Sequence, residues 1–148
     1  MQLNIRKNPA EEAERERLRI ESEFKSHIKI MPTFCKTAKA FMARAGWNYM
    51  LFENKTGIDR KTYYQIQREE LEYPEFETVL KICVGLRLNK EERNERLRLT
   101  GNDKRTARKH FIYLYILDEY DIKSPSDFND VYLRLYPREP PPFKNDGR

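Results

Sequence analysis

The sequence predicts an all-α fold. Apolar residues recur at steps of three and four positions in one segment after another, which is the spacing of one helix face. Residues typical of helix ends separate these segments, and no pair of strand-like segments offers the partners that a sheet needs. The clearest pattern lies in the stretch 76–86, where the apolar positions include Phe76, Val79, Leu80, Cys83 and Val84.

The first predicted helix is highly charged and runs from about Pro9 to Lys29, after a loose arm of seven residues. Proline at its first position and glutamates in its first turn are typical of a helix start. It is either a solvated spacer or a helix that joins a partner. Its apolar residues lie near its end: Ile20, Phe24, Ile28 and Met31.

The next predicted helix starts after Thr33, a plausible N-cap, and ends near Gly46. Three short helices follow in the segment 46–88. A turn that contains Gly57 separates the first two, and Pro74 precedes the third. Two short helices joined by a tight glycine-containing turn form a helix-turn-helix, whose second helix can enter the DNA major groove. The three helices are predicted at Asn48–Lys55, Arg60–Arg68 and Phe76–Leu86.

The segment 46–88 matches a known pattern in the entry to its first helix, the turn glycine, the inward positions of its second helix and the apolar spacing of its third. The matching residues are Gly46, Trp47, Asn48, Phe52, Gly57, Ile58, Asp59, Thr62, Tyr63, Ile66, Pro74, Phe76, Thr78, Val79, Leu80, Ile82, Leu86 and Leu88. In these positions the chain resembles the DNA-binding domain of the lambda-repressor-like (Xre/Cro) regulators. The resemblance implies a repressor-like helix-turn-helix bundle, here with an N-terminal charged helix and two C-terminal helices.

The remaining helices are predicted from local patterns. Asn89 and Glu92 form a capping box at the start of a charged helix that reaches Thr100. The apolar run 111–117 is interpreted as a helix, although its aromatic and β-branched residues are also typical of a buried strand. A further helix starts at Ser124-Pro125, with an inner face of Phe128, Val131, Tyr132 and Leu135.

The resulting organisation has four parts. The proline-rich tail is expected to be extended or disordered, with a proline-motif ligand as the alternative. The parts are an N-terminal arm and charged helix at 1–31, the helix-turn-helix domain at 32–101, a C-terminal helical extension at 102–136 and the tail at 137–148.

The resemblance implies a transcriptional regulator of phage, antitoxin or mobile-element type that binds double-stranded DNA in a sequence-specific way. It implies that Tyr63 and Ile66 face inward. Arginine bonds bidentately to guanine, glutamine reads adenine, and lysine mainly neutralises phosphate. The residues implied to face the DNA are Asn48, Tyr49, Arg60, Lys61, Tyr64, Gln65 and Arg68. The net charge of +5 permits a polyanionic partner.

Two departures from the family pattern leave an alternative open. Glu53 stands where the family has a small residue, and 68–70 stands where it has a glycine. Four carboxylates after the second helix would also repel phosphate if they faced DNA: Glu69, Glu70, Glu72 and Glu75. The alternative is a protein-interaction module of repressor-like fold, with a toxin or metallopeptidase as partner and no DNA role. For Glu53 we expect a basic partner nearby, or a wider helix crossing through which its carboxylate reaches water.

Regulators of this type usually pair to span two half-sites about one DNA turn apart, so a homodimer is expected. The candidate surface is part of the run 111–117, joined by Tyr120, Phe128 and Tyr132. The charged helix at Pro9–Lys29 is the rival candidate.

An enzymatic function is not indicated, and neither is a cofactor or a metal site. The two histidines, His27 and His110, and the two cysteines, Cys35 and Cys83, lack the spacing of a zinc site. The cysteines are expected to be buried hydrophobes. There is no glycine-rich phosphate loop. No apolar run of about 18 residues and no signal region is present, so the expected location is cytoplasmic, without a membrane span.

Overall fold

The computed structural model describes residues 9–29, 33–104 and 107–143, with the side chains of residues 28 and 29 excepted. Within these ranges the secondary structure consists of eight α-helices and no strand, so the all-α prediction is confirmed. The helices are α1 (Pro9–Lys29), α2 (Phe34–Arg44), α3 (Tyr49–Thr56), α4 (Arg60–Gln67), α5 (Phe76–Gly85), α6 (Lys90–Leu99), α7 (Arg108–Glu119) and α8 (Pro125–Leu135).

The chain divides into two units, residues 1–32 and 33–148. In the first unit, α1 is mostly exposed, and its apolar residues Leu18 and Ile20 are both more than half exposed. Phe24 is half-buried. The predicted positions Ile28 and Met31, like the arm before Pro9, lie outside the described side chains. No helix among the described residues is long and apolar enough to cross a membrane.

Helix starts in the second unit follow from short polar side chains that accept bonds from the backbone N–H groups of the first turn. Ser124 caps α8, with Pro125 as the first helical residue, as predicted. The capping box of Asn89 and Glu92 is also present, since each side chain accepts from the other's backbone N–H. The caps of α2, α3 and α4 are Thr33, Asn48 and Asp59.

Helix α5 lies against three other helices, α3, α6 and α8. Its contact with α3 is so close that a Cβ on Gly85 would lie 2.8 Å from the Lys55 carbonyl oxygen and 3.1 Å from the Trp47 ring. Glycine therefore permits the approach. The fully buried residues of α5 are Phe76, Val79, Leu80, Ile82, Cys83 and Val84, and they include the whole predicted stripe.

The run 111–117 is helical, and it forms most of α7. Four of its residues are buried: Ile112, Tyr113, Leu114 and Ile116. Phe111 and Tyr115 are 63% and 53% exposed, so one side of the helix is uncovered. The rest of the unit therefore covers this helix over only part of its circumference.

One predicted position of α8 is wrong. Leu135, assigned to the inner face, is 42% exposed, whereas Phe128, Val131 and Tyr132 are buried as predicted. The tail, expected to be extended or disordered, is non-helical and docked as far as Phe143, which is only 2% exposed.

Asn129 holds the end of this docked segment. Its Nδ2 donates to the Phe143 carbonyl oxygen at 2.6 Å, and its Oδ1 accepts from the Phe143 backbone N–H at 3.3 Å. The Tyr132 hydroxyl donates to Glu139 Oε2 at 2.6 Å. Burial, and then this hydrogen bond, raise the pKa of Tyr132. Residues 144–148 lie outside the described part.

Part of the predicted dimer surface is wrong, because Phe128 and Tyr132 are not available for a partner, whereas Phe111 and Tyr115 of the run 111–117 are exposed. Phe128 and Tyr132 are buried within the chain's own core, and Tyr120 is partly buried against that core. Each of these aromatic side chains already has a partner in its own fold, because α7, α8 and the tail pack together. Tyr113, for example, contacts both Phe128 and Tyr132 through its ring.

The buried face of α6 contains two arginines whose burial the sequence pattern did not indicate. Arg93 is 4% exposed and pairs with Asp118 of α7, which Lys90 also approaches at 3.7 Å. Arg96 is 3% exposed and lies over the Phe41 ring at 5.2 Å. Both cysteines are free and buried, as predicted, and burial raises the pKa of Cys83 to about 12.

Replacement of Phe143 by alanine tests the docked tail. Since the ring is almost fully buried, Phe143→Ala should lower the free energy of unfolding by roughly 3 kcal/mol, as measured by urea denaturation. The control is Tyr73→Ala, because Tyr73 is 80% exposed. Equal, small effects of the two substitutions would mean that the tail is not docked.

His110 should make the stability of the fold depend on pH. Its ring stacks on that of Phe76, with ring centroids 3.9 Å apart. Burial, and then the neighbouring Lys109, lower the pKa of His110 from 6.5, while Glu77 opposes the change. As the pH falls through 6.5, the unfolded chain takes up a proton before the folded chain does. The free energy of unfolding should therefore decrease with falling pH in this range.

The measurement is urea denaturation between about pH 7.5 and about pH 5.5, where histidine is the main titrating side chain. His110→Gln should remove part of the decrease, whereas His27→Gln, on the exposed surface of α1, should retain it. Identical pH profiles for the wild type and His110→Gln would contradict the expectation.

Candidate nucleic-acid interface

The turn between α3 and α4 is built on Gly57. It has φ 71° and ψ 14°, the left-handed conformation that a Cβ would disfavour. Its N–H donates to the Glu53 carbonyl oxygen at 2.9 Å and so ends α3. Two residues later the Asp59 side chain caps α4. The role predicted for the turn glycine is thus present in the structure.

Helix α4 has one face inside and one face outside. Ile66 is fully buried, and Tyr63 packs on the Phe52 ring with centroids 5.5 Å apart, so both predicted inward residues lie inside. Of the five predicted interface residues in the segment 60–68, four are exposed and Gln65 is half-buried. The exposed residues are Arg60, Lys61, Tyr64 and Arg68. The register of α4 therefore agrees with the expected division of its faces.

The start of α4 is enclosed by two carboxylates. Glu53, on α3, accepts the Arg60 backbone N–H through Oε2 at 3.0 Å. Asp59 Oδ1 accepts the backbone N–H groups of Lys61 at 3.1 Å and Thr62 at 3.4 Å. The Thr62 N–H also donates to the Asp59 carbonyl oxygen at 3.2 Å. The first three N–H groups of α4 are thereby satisfied, two of them by carboxylates alone.

The Arg60 side chain has two contacts. Its guanidinium group pairs with Glu53 Oε1 at 3.4 Å and lies over the Tyr49 ring, 4.7 Å from the centroid. The side chain is still 58% exposed, and that of Glu53 is 30% exposed. Glu53 thus has the nearby basic partner that we expected as one of two solutions. Its carboxylate lies over the start of α4, and the tight contact between helices occurs at Gly85 instead.

Tyr49 and Asn48 lie at the start of α3. Asn48 Oδ1 caps the helix by accepting the Leu51 N–H at 2.9 Å. Tyr49 lies between Arg60 and Tyr64, whose ring centroid is 6.3 Å from its own. The structure therefore brings Tyr49, Arg60 and Tyr64 together, while Asn48 has a local structural role.

The acidic segment after α4 is partly neutralised. Glu70 Oε1 pairs with Arg68 Nε at 3.0 Å, and Glu69 Oε2 pairs with Lys39 of α2 at 3.3 Å. Exposed ion pairs such as these contribute only about 0–1 kcal/mol each. The structure therefore reduces the repulsion expected from these two carboxylates, but it also gives Arg68 an acidic neighbour.

Glu69 has φ 57°, in the left-handed region. Its N–H donates to the Ile66 carbonyl oxygen, and the Glu70 N–H donates to that of Gln65, which together close the end of α4. In the segment 68–70, where the repressor-like pattern has a glycine, Glu69 therefore adopts the left-handed conformation that glycine favours.

Sequence reasoning missed two contributors to this surface. The stack of Arg60 on Tyr49 joins α4 to α3. The tyrosine at the first position of α3 was the sequence feature that could have indicated this contact. Lys39 reaches Glu69 from α2, and no local pattern indicates that pair. Large apolar side chains are also exposed on α3, on α4 and in the segment that follows α4, with Met50 at 52%, Tyr64 at 40% and Tyr73 at 80%.

Comparisons of the chain with protein-family models, with curated proteins and with solved structures give no match. Among the described residues, no group of three or more histidine, cysteine, aspartate or glutamate side chains is arranged to hold a metal ion.

Glu69→Gly tests the strained backbone at the end of α4. Glycine should relieve a cost of about 1–2 kcal/mol for the left-handed conformation, against losses of up to about 1 kcal/mol each from chain entropy and the ion pair. The expected thermal stability is unchanged or slightly higher.

The matched control is Glu70→Gly, which also removes an exposed ion pair but relieves no left-handed conformation. It should lower the free energy of unfolding by about 1 kcal/mol relative to Glu69→Gly. A larger loss for Glu69→Gly than for Glu70→Gly would contradict the left-handed assignment.

Proposed function

We propose that residues 33–148 contain a repressor-like helix-turn-helix, bind double-stranded DNA in a sequence-specific way through α4, and act as a transcriptional regulator. The observation that carries the proposal is the orientation of α4. After a left-handed glycine turn, its apolar residues Tyr63 and Ile66 face the core, and its basic and hydrogen-bonding residues face outward.

The outward side chains have the chemistry that reads a major groove. Arg60 and Arg68 can each donate two hydrogen bonds to guanine, and Gln65 can pair with adenine. Lys61 has a flexible ammonium group suited to phosphate. The ion pairs of Arg60 and Arg68 are exposed and weak, so DNA can compete with Glu53 and Glu70 for the guanidinium groups.

A second candidate function is binding of a protein by the same surface, with a toxin or metallopeptidase as the kind of partner. Two observations favour it. Arg60 and Arg68 already have carboxylate partners, and Met50 on α3, Tyr64 on α4 and Tyr73 in the segment after α4 are exposed large apolar residues. Aromatic and methionine side chains are enriched at protein interfaces.

A homodimer remains part of the proposal, because one recognition helix covers few base pairs and two half-sites need two copies. Of the surface first expected for it, Phe128 and Tyr132 are buried. Phe111 and Tyr115, one turn apart on α7, are the large apolar side chains of that helix that stay exposed, and they are the remaining part of that surface.

The test begins with selection of preferred sites from a randomised duplex pool. Affinity for the selected site should fall with salt, with a slope of about −0.9 for each phosphate neutralised. Arg60→Ala should weaken binding to that site by roughly 1–3 kcal/mol and binding to random duplex by less. Lys61→Ala should weaken both about equally.

The control is Arg98→Ala, because Arg98 is an exposed arginine of α6 that pairs with Glu95 of its own helix. It should leave binding to the selected site unchanged. If Arg60→Ala, Lys61→Ala and Arg68→Ala all have negligible effects, the protein-binding function becomes the better proposal.

A further inference from the structure

The inference concerns Glu53, the carboxylate that α3 extends over the start of α4. Its two oxygens have different partners on the same residue. Oε2 accepts the Arg60 backbone N–H at 3.0 Å, and Oε1 faces the Arg60 guanidinium group at 3.4 Å. One side chain therefore fixes both the backbone and the side chain of Arg60 relative to α3.

Tyr49 is the second side chain of α3 that contacts Arg60. It lies on α3 four residues before Glu53, on the same side of the helix, and the guanidinium carbon is 4.7 Å from its ring centroid. Arg60 is thus held by a carboxylate and an aromatic ring while it remains 58% exposed. An arginine side chain that is already ordered loses less conformational entropy when it forms a further contact.

The electrostatics at the start of α4 disfavour indiscriminate binding of phosphate. A helix start normally attracts anions, because its N–H groups are unsatisfied and the helix dipole is positive there. Here Glu53 and Asp59 occupy these N–H groups with two carboxylates. A phosphate that approaches Arg60 must compete with Glu53 and is repelled by both carboxylates.

We propose that Glu53 is the specificity-determining positioning residue of the interface. It directs Arg60 toward a guanine edge and keeps it from the phosphates that every sequence carries. The contact with Glu53 uses one guanidinium nitrogen, and arginine has five N–H donors, so enough remain for the two bonds to guanine O6 and N7. The inference rests on the proposed DNA binding.

The experiment compares Glu53→Gln with the wild type on the site selected from random duplex, on that site with the guanine read by Arg60 replaced, and on random duplex. Glutamine retains an oxygen that can accept the Arg60 backbone N–H, but it removes the charge that attracts the guanidinium group. The readout is the ratio of affinities, measured at the same salt concentration throughout.

Glu53→Gln should bind random duplex about threefold to tenfold more tightly, because a charge that repels phosphate is lost. Discrimination against the replaced guanine should fall at least about fivefold, the lower end of what one bidentate contact provides. The matched control is Glu72→Gln, which makes the same change in the exposed segment after α4. It should leave that discrimination unchanged.

The outcomes separate the inference from the proposed function. If the wild type binds no duplex at either of two salt concentrations, the proposed function fails, and this inference fails with it. If the wild type binds selectively but Glu53→Gln and Glu72→Gln have the same discrimination, the role of Glu53 alone is overturned. Selective binding in which Arg60→Ala changes no base preference overturns it equally.

A measurement without DNA examines the contact itself. In Glu53→Ala the Arg60 amide loses its acceptor, so its proton should exchange with solvent severalfold faster than in the wild type. The Lys61 amide, which bonds to Asp59, should exchange at the same rate in both proteins. Equal exchange of the Arg60 amide in the two proteins would overturn the contact.

Discussion

Burial of α5 is the constraint on which the rest of the unit formed by residues 33–148 depends. This helix packs on α3, α6 and α8, and its apolar side chains are almost completely removed from water. At Gly85 it approaches the end of α3 so closely that a methyl group would meet the Lys55 carbonyl oxygen. Because α3 in turn holds α4 through the contact of Phe52 with Tyr63, the outward face of α4 depends on the packing of α5.

Helix positions could be predicted from the sequence because their causes are local. The caps at Thr33, Asn48, Asn89 and Ser124 each lie within a few residues of the N–H groups that they satisfy, and the apolar spacing of α5 indicates its buried face. The exposure of Leu135, the burial of Phe143 and the burial of Arg93 could not be predicted in this way. Each depends on which distant segment covers the residue, as when Asn129 bonds the tail or Asp118 pairs with an arginine of another helix.

The same distinction between local causes and distant contacts applies to the candidate site. The separation of Ile66 inside from Arg60, Lys61 and Tyr64 outside was expected from the resemblance to repressor-like domains, and the observed exposures agree with it. Glu53 and Arg60 are seven residues apart and lie on either side of a turn, so no single helical spacing predicts their contact. The expected solutions for Glu53 were a basic partner nearby or a wider helix crossing, and the structure contains the first. The carboxylate also satisfies the start of the following helix, so a departure from the repressor-like pattern becomes a local stabilising contact.

The arrangement of charge on α4 bears on what kind of binding this surface can support. A surface with unpaired arginines gains most of its DNA affinity from phosphates, through release of counterions that does not depend on sequence. Here Arg60 and Arg68 already have carboxylate neighbours, so part of that electrostatic gain is offset before any DNA arrives. Binding then depends more on contacts that replace the carboxylates with an equally good acceptor in the right position, which a guanine edge offers and a mobile phosphate offers less well. In the proposed complex, the net charge of +5 would attract the chain to a polyanion, and the paired arginines would favour selection among DNA sequences.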